Sequence, residues 1–361
     1  MAKTVFVGMS GGVDSSVSAV LLKEQGYHVV GVYMKNWSKD LPGMKCPWAE
    51  DLADAKRVAT KLDIDFMIFD FEKEYKQKVV DYMLDEFKKG NTPNPDVMCN
   101  QEIKFKLFYE ISREKGADFI ATGHYANAHD GKLLKAKDEN KDQTYFLYRI
   151  SKEAIAHTIF PIGDMLKPEV KELAAEKGLD NAYKKESMGV CFVGDVGMKD
   201  FLKEYLNTTE DKEKYLKPGK IVELETNEVL GFHDGAIFYT VGQRHGLNIG
   251  GGLPYYVVGK DMAKNEVYVS KKINDKNLWT KKLELKDVIL REEPYENMAV
   301  EVRLRHRAKL EPAILKNVSG DFFGGLALAS LEFDDEIKRT ASGQSVVIYK
   351  GEICLGGGIL R

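Results

Sequence analysis

The sequence predicts an α/β domain built on a parallel sheet, then a small mostly-β central domain and a C-terminal β-barrel. Three observations carry this expectation. Residues 1 to 125 alternate short apolar runs with amphipathic helical patterns, the signature of βαβ units whose sheet is covered on both faces. Pro218-Gly219 then punctuates the chain after a charged helical stretch. Beyond it come short alternating segments separated by Gly, Asn and Asp turns, the spacing of small β domains and barrels. The expected division is 1–210, 211–275 and 276–361.

The first strand is expected at 4–8 (TVFVG), and Val13, Val17, Val20 and Leu21 then form one face of a helix that Gly26 ends. Between them stands Ser10-Gly11-Gly12-Val13-Asp14-Ser15-Ser16. A glycine-rich turn from strand to helix presents unpaired N–H groups and the positive end of a helix dipole, which favour a phosphate. A P-loop would need Lys before the last Ser, and a dinucleotide fingerprint would need Gly-x-Gly-x-x-Gly. A plain glycine turn capped by Ser10 or Asp14 is the bland alternative. Further strands are expected at 28–34, 65–70 and 118–123, with helices at 50–62, 75–89 and 103–115. Ligands of such a sheet bind at the carboxyl ends of its strands. Long loops interrupt the pattern at 35–47 and 90–100. Helical patterns follow at 167–177, behind Pro168, and at 200–217. Later strands are expected at 220–225, 236–240, 255–260, 266–270, 299–307, 345–349 and 352–356.

Composition narrows the class. The chain is 43% hydrophobic and 30% charged, with net charge −3, so nucleic-acid binding must come from local basic patches. No apolar run approaches the roughly 20 residues of a membrane span, and no targeting segment precedes the first strand; the expected location is cytoplasmic, with no membrane partner. Cys46, Cys99, Cys191 and Cys354 are scattered without a C-x-x-C pair, which argues against structural zinc and against a disulfide framework. Cys46 and Cys354 read as small buried hydrophobes. Cys99 precedes the helix expected from 103, whose dipole would favour its thiolate. Cys191 stands between glycines that allow close backbone approach.

Seven ordered motifs now stand together, at 8–15, 94–105 (NPDVMCNQEIKF), 122–125 (TGHY), 141–147 (KDQTYFL), 189–192 (GVCF), 242–247 (GQRHGL) and 354–358 (CLGGG). Across essentially the whole chain this series resembles the bacterial-type tRNA uridine 2-sulfurtransferase (2-thiouridylase) family. The resemblance implies an N-terminal domain of the adenine nucleotide α-hydrolase kind, with a pyrophosphate loop. It implies an ATP-dependent exchange of the C2 oxygen of the wobble uridine for sulfur: adenylation of that oxygen, departure of AMP, and a persulfide as sulfur source. Cys191 is thereby the persulfide carrier and Cys99 the second nucleophile, the two ending as a transient disulfide. Direct persulfide attack and prior release of hydrosulfide both remain open.

By the same resemblance, ATP contacts fall on Gly8, Met9, Ser10, Gly11, Gly12, Val13, Asp14, Ser15, Met34 and Gly123, with Mg²⁺ as companion ion. The target base and tRNA fall to Asn94, Pro95, Asp96, His124, Lys141, Asp142, Gln143, Arg303, Arg305 and Gln344. Asp96 either acts as a base, orients the uracil or caps its turn. The partners implied are the anticodon stem-loop of tRNAs for Lys, Glu and Gln, and a cysteine desulfurase or sulfur-relay protein. From the residues themselves, alternation over 299–310 places Arg303, Arg305, Arg307 and Lys309 on one strand face, suited to phosphates, and leaves His306 opposite as a core histidine. The family usually has an aromatic residue where Leu304 stands. Two other readings compete: an adenylating ligase or amidotransferase using the same loop, and a non-catalytic RNA-binding module.

Overall fold

The computed structural model describes residues 2–40, 46–185, 197–250, 254–272 and 274–361. Cys191 and its motif lie outside them. The first sheet contains β1 (Thr4–Gly8), β2 (His28–Lys35), β3 (Asp65–Asp70) and β4 (Phe119–Thr122); after a hairpin of β5 (Asn127–His129) and β6 (Lys132–Leu134) it is completed by β7 (Thr158–Ile159). Strand order is β3-β2-β1-β4-β7, and every pairing in it is parallel. Alternate side chains of β1 enter two cores. Val5 and Val7 pack with Val17 and Val20 of the helix Val13–Glu24, while Phe6 faces Phe69, Val79 and Phe108. The chain crosses from β2 and β3 to β4 on the other side of β1, so a crevice opens at the carboxyl ends of β1 and β4.

The central domain pairs β8 (Gly219–Glu223), β9 (Val229–His233), β10 (Tyr256–Asp261) and β11 (Glu266–Ser270) in the order β10-β11-β8-β9. The C-terminal strands β12 (Trp279–Leu290), β13 (Met298–Arg303), β14 (Glu311–Ser319), β15 (Ala327–Lys338), β16 (Ser345–Lys350) and β17 (Ile353–Leu360) form an antiparallel barrel, closed by β12 against β17. The hairpin β5–β6 adds to the start of β17, ahead of its pairing with β12, where Ile353 and Cys354 pair with Leu134 and Leu133. Buried Arg291 joins barrel and first domain, donating to the carbonyls of Tyr148 (2.6 Å), Cys354 (2.9 Å) and Leu147 (3.3 Å). The domain order expected from the sequence is the order observed. Among the described residues no helix is long and apolar enough to cross a membrane.

Several elements depart from expectation, each for a physical reason. The cysteine-bearing helix starts at Pro95, well before 103: Asn94 caps it by accepting from Val97 N (3.3 Å), and Pro95 sits where its missing N–H costs nothing. The strand expected at 236–240 is a 3₁₀ turn, Ala236–Phe238; Ala236 N–H is satisfied by Asn265 Oδ1 (2.9 Å) instead of a ladder. The stretch 200–217 splits into Met198–Asn207 and Lys212–Tyr215, because Thr208 and Thr209 hydroxyls donate back to Tyr205 and Leu206 carbonyls. The strand expected to 307 ends at Arg303, where its pairing with β16 stops, and Arg307 turns at φ +61°. Alternation missed the short strands β5, β6 and β7 and also β9, β12, β14 and β15. Bulges in β12 and β14 shift the register and break the period of two on which such a reading depends.

Candidate active site

A cleft of about 370 Å³ opens at the carboxyl ends of β1, β2 and β4. Its walls include Gly8, Met9, Ser10, Gly12, Val13, Asp14 and Ser15 from the loop after β1, Met34 from β2, Gly123 and His124 after β4, and Gln143. Gly11 completes the loop behind them. It turns at φ +77°, and a Cβ there would lie 2.4 Å from the carbonyl oxygen of Asp51. Gly123 lets β4 pass equally close: its Cβ would lie 2.6 Å from Ser15 N. The loop is tied from below, since Asn181 Nδ2 donates to Gly11 O and to Ser16 Oγ, both at 2.9 Å. The helix Val13–Glu24 has Gly12 at its N-cap with no side-chain cap, so its first N–H groups face the crevice as an anion site.

Charge around this loop is arranged in pairs. Asp14 accepts from Lys167 Nζ (2.6 Å) and Tyr125 OH (3.2 Å), so the loop carboxylate is an ion-pair partner and not a cap. Lys184 Nζ bonds Asp51 Oδ1 (2.7 Å) and also Asp54. On the far wall Lys104 Nζ lies 3.5 Å from His124 Nε2, and Thr122 Oγ1 lies 2.8 Å from His124 Nδ1. Burial and the Lys104 ammonium hold the His124 imidazole well below its ordinary pKa. Cys46 also lines the cleft, but burial pushes its thiol up. Among the described residues no cluster of three or more His, Cys, Asp or Glu side chains has metal-holding geometry; the carboxylates on the described cleft wall are Asp14 and Asp51.

Cys99 is 1% exposed and opens the π-helical segment Cys99–Leu107, directly after the turn Pro95–Met98. It is thus a full turn inside the helix, where the dipole that the sequence suggested as an activator has largely decayed. Asp96 lies in that first turn, flanked by Asn94 and Pro95. The helix runs from Cys99 to Lys104 on the cleft wall, joining the two parts of the site. Asn100 Nδ2 donates to Phe146 O (3.1 Å), and the Phe146 ring packs 4.6 Å from that of His306. His306 is half-buried among aromatic rings, as a core histidine would be.

The remaining expected residues lie between the first domain and the barrel. Gln143 Oε1 accepts from Tyr125 N (2.8 Å), which aims its side chain along the cleft wall. Asp142 is buried and pairs with Arg303 Nη1 (3.0 Å), so this arginine turns inward; Arg305 is exposed. Lys141 is half-buried, its N–H bonded to Asp138 O. Gln344 Nε2 donates to Thr92 O (2.6 Å), and Ser342 O accepts from Thr92 N (2.8 Å). The barrel therefore grips the chain just before Asn94. Sequence reasoning gave no role to Lys104, Asp51, Lys167, Asn181 or Lys184. Only Lys104 lay within a quoted motif; the others carry no local signal, being brought to the loop by distant segments.

Comparison with known proteins agrees with this architecture. A family model described as a tRNA methyl transferase HUP domain matches residues 3–195; a tRNA methyl transferase PRC-barrel domain matches 199–271; an aminomethyltransferase beta-barrel domain matches 280–360. The tRNA-specific 2-thiouridylase MnmA of Pediococcus pentosaceus is 45% identical over 370 residues, spanning 99% of this chain and 94% of its own length. The proteins of the same name from Lactiplantibacillus plantarum and Bacillus licheniformis are each 44% identical over the same shares.

Proposed function

Since the chain belongs to the tRNA-specific 2-thiouridylase family, we propose that it catalyses ATP-dependent 2-thiolation of the wobble uridine of tRNA. The observation that carries this reading is a phosphate loop at the switch point of a parallel sheet, opening on the cleft that the Cys99 helix enters at Lys104.

In the proposed reaction the uracil C2 oxygen attacks the α-phosphorus of ATP. A P–O bond forms, the bond to the bridging oxygen breaks, and pyrophosphate leaves with the electron pair while the N3 proton is lost to a base, for which Asp96 is the candidate. The C2 oxygen has thereby become part of a good leaving group. The terminal sulfur of a Cys191 persulfide attacks C2 and AMP departs. The Cys99 thiolate then attacks Cys191 Sγ, releasing the thiolated base and leaving a Cys99–Cys191 disulfide. An external thiol reduces that disulfide, and a cysteine desulfurase or sulfur-relay protein reloads Cys191. Release of hydrosulfide by Cys99 before attack on C2 gives the same products.

A Mg²⁺ ion bound with the triphosphate would offset its charge, and Asp14 is the loop carboxylate that would hold it, sharing its charge with Lys167. The segments 1–210, 211–275 and 276–361 act as catalytic, connecting and RNA-contact domains. Asn94, Pro95, Asp96, His124, Lys141, Gln143, Arg305 and Gln344 form the proposed tRNA side, with anticodon stem-loops of tRNAs for Lys, Glu and Gln as substrates in the cytoplasm; Asp142 and Arg303, expected there from the sequence, pair with each other in the interior and brace this face from behind. Incubation with ATP, unmodified tRNA and a persulfide donor is expected to yield AMP, pyrophosphate and 2-thiouridine, read by nucleoside mass spectrometry. Cys99→Ser is expected to keep pyrophosphate release within a few-fold and to abolish 2-thiouridine. Pyrophosphate without sulfur incorporation by the unaltered protein would instead support a ligase.

A further inference from the structure

We propose that Thr92 is a positioning residue for Asp96 and Cys99, held in register by Thr240 and Gln243 of the central domain. This role gives the 242–247 motif its task and rests on the thiolation reading above. Thr92 opens Thr92-Pro93-Asn94-Pro95, the stretch that leads into the turn Pro95–Met98 and on to Cys99. Each proline fixes its own φ and holds the residue before it in extended backbone, as Asn94 shows at φ −113° and ψ 97°. Such a segment has few soft torsions, so a displacement at Thr92 passes on to Asp96 and Cys99 and is not absorbed on the way. Where Thr92 sits therefore sets where the candidate base and the second thiol sit.

Hydrogen bonds from two other domains converge on Thr92. The barrel takes its main chain: Ser342 O accepts from Thr92 N at 2.8 Å, and Gln344 Nε2 donates to Thr92 O at 2.6 Å. Gly343 permits this approach, since a Cβ there would lie only 3.0 Å from Thr92 N. Both bonds come from one turn, which leaves the segment free to swing about the line between them. The central domain removes that freedom from another direction: the hydroxyls of Thr92 and Thr240 share a hydrogen bond at 3.2 Å. Thr240 lies outside any strand, just after the 3₁₀ turn Ala236–Phe238, so its own position needs support. Gln243 supplies it. Its Oε1 accepts from Thr240 N (3.0 Å), and its N–H donates to Thr240 O (3.0 Å). Its Nε2 donates to His245 O (2.8 Å), and its carbonyl accepts from Val257 N of β10 (2.9 Å). Gly242, at φ +87°, starts the loop by donating to Val257 O (2.7 Å). The first residues of the motif thus tie Thr240 to β10 and hold its hydroxyl on Thr92.

The test measures 2-thiouridine formed by the full chain with ATP, unmodified tRNA and a persulfide donor. Thr92→Val, which keeps the shape and removes the hydroxyl, is expected to lower kcat about tenfold or more, while KM for tRNA and for ATP moves less than about threefold. Thr92→Ser restores the hydroxyl and should recover at least about half the rate. Gln243→Leu should fall nearly as far as Thr92→Val, and the two changes together should cost no more than either alone, because both act through one contact. Hydrogen exchange of the Val97 amide, bonded to Asn94 Oδ1, should quicken in Thr92→Val and not in Thr92→Ser, with the melting temperature of both near that of the unaltered protein. Should Gln243→Leu fail to fold, Thr240→Val carries the same expectation. A Thr92→Val protein with unaltered kcat, or with only a raised KM for tRNA, overturns the proposal and leaves the thiolation reading intact. Losses that add in the double variant overturn it as well. An unaltered protein that forms no 2-thiouridine overturns that reading, and this proposal with it.

Discussion

Gly11 is the residue on which the phosphate loop turns. Its φ of +77° and the backbone oxygen only 2.4 Å from a would-be Cβ leave a larger residue no refuge, because the clash is with main chain and not with a movable side-chain tip. Gly11→Ala is expected to destabilise the protein by about 1–3 kcal/mol and to reduce ATP-dependent pyrophosphate release at least about tenfold. Thermal denaturation and ATP-binding calorimetry read both; unchanged ATP affinity would mean that the loop does not cradle phosphate. Cys99 teaches a complementary point. Its placement near a helix start was legible in the sequence, but the helix starts at Pro95, a full turn before Cys99, so the positive end of the dipole does not lie at the thiol.

At the scale of elements, the segment 136–144 is pinned from both sides. Asp142 accepts from Ala136 N (3.2 Å), from Thr144 Oγ1 (2.8 Å) and from Arg303 of β13 (3.0 Å), with the two charged side chains only 2% and 14% exposed. Removing one partner would leave the other charge buried without compensation. Asp142→Ala is expected to lower the unfolding free energy by about 3–5 kcal/mol. Replacing both Asp142 and Arg303 with apolar residues should cost clearly less than the sum of the two single changes. Urea denaturation decides; additive losses would mean that the pair contributes little. The β13 strand shows why alternation misleads here. Arg303 satisfies the pattern for an outward cation, yet a carboxylate from another domain turns it inward, and residues beyond it leave the sheet altogether.

Across the whole molecule, three histidines in different regions share one electrostatic state. His124 in the cleft, His233 in the central domain and His306 near the barrel are all held below the ordinary value of 6.5, chiefly by burial. The unfolded chain takes up protons at these sites near pH 6.5, whereas the folded chain resists until lower pH. Stability is therefore full above pH 6.5 and falls on acidification, with a limiting slope of about 1.4 kcal/mol per pH unit for each histidine. Carboxylates held low by partners, such as Glu72, Glu86 and Glu102, bring their own loss only nearer their ordinary value of 4.5. Denaturation midpoints should drop between pH 7 and 5.5, and His306→Gln should make the drop shallower. A flat profile would show that these rings protonate inside the folded protein.

The sequence alone determined the alternating first domain, the change to β structure after Pro218 and the glycine loop before the first helix. These follow from local rules: periods of 2 and 3.6, turn residues, and the backbone freedom of glycine. Motif spacing also marked Cys99, His124 and Gln143. Tertiary structure decided which charges meet. Lys167 reaches Asp14 across 153 positions and Asn181 reaches Gly11 across 170. Arg303 likewise reaches Asp142 across 161, and Gln344 reaches Thr92 across 252. No window of sequence contains both partners of such a contact. Their pairing comes from strand order, barrel closure and the docking of β5–β6 onto β17, which bring remote segments within the few ångströms over which hydrogen bonds and ion pairs act.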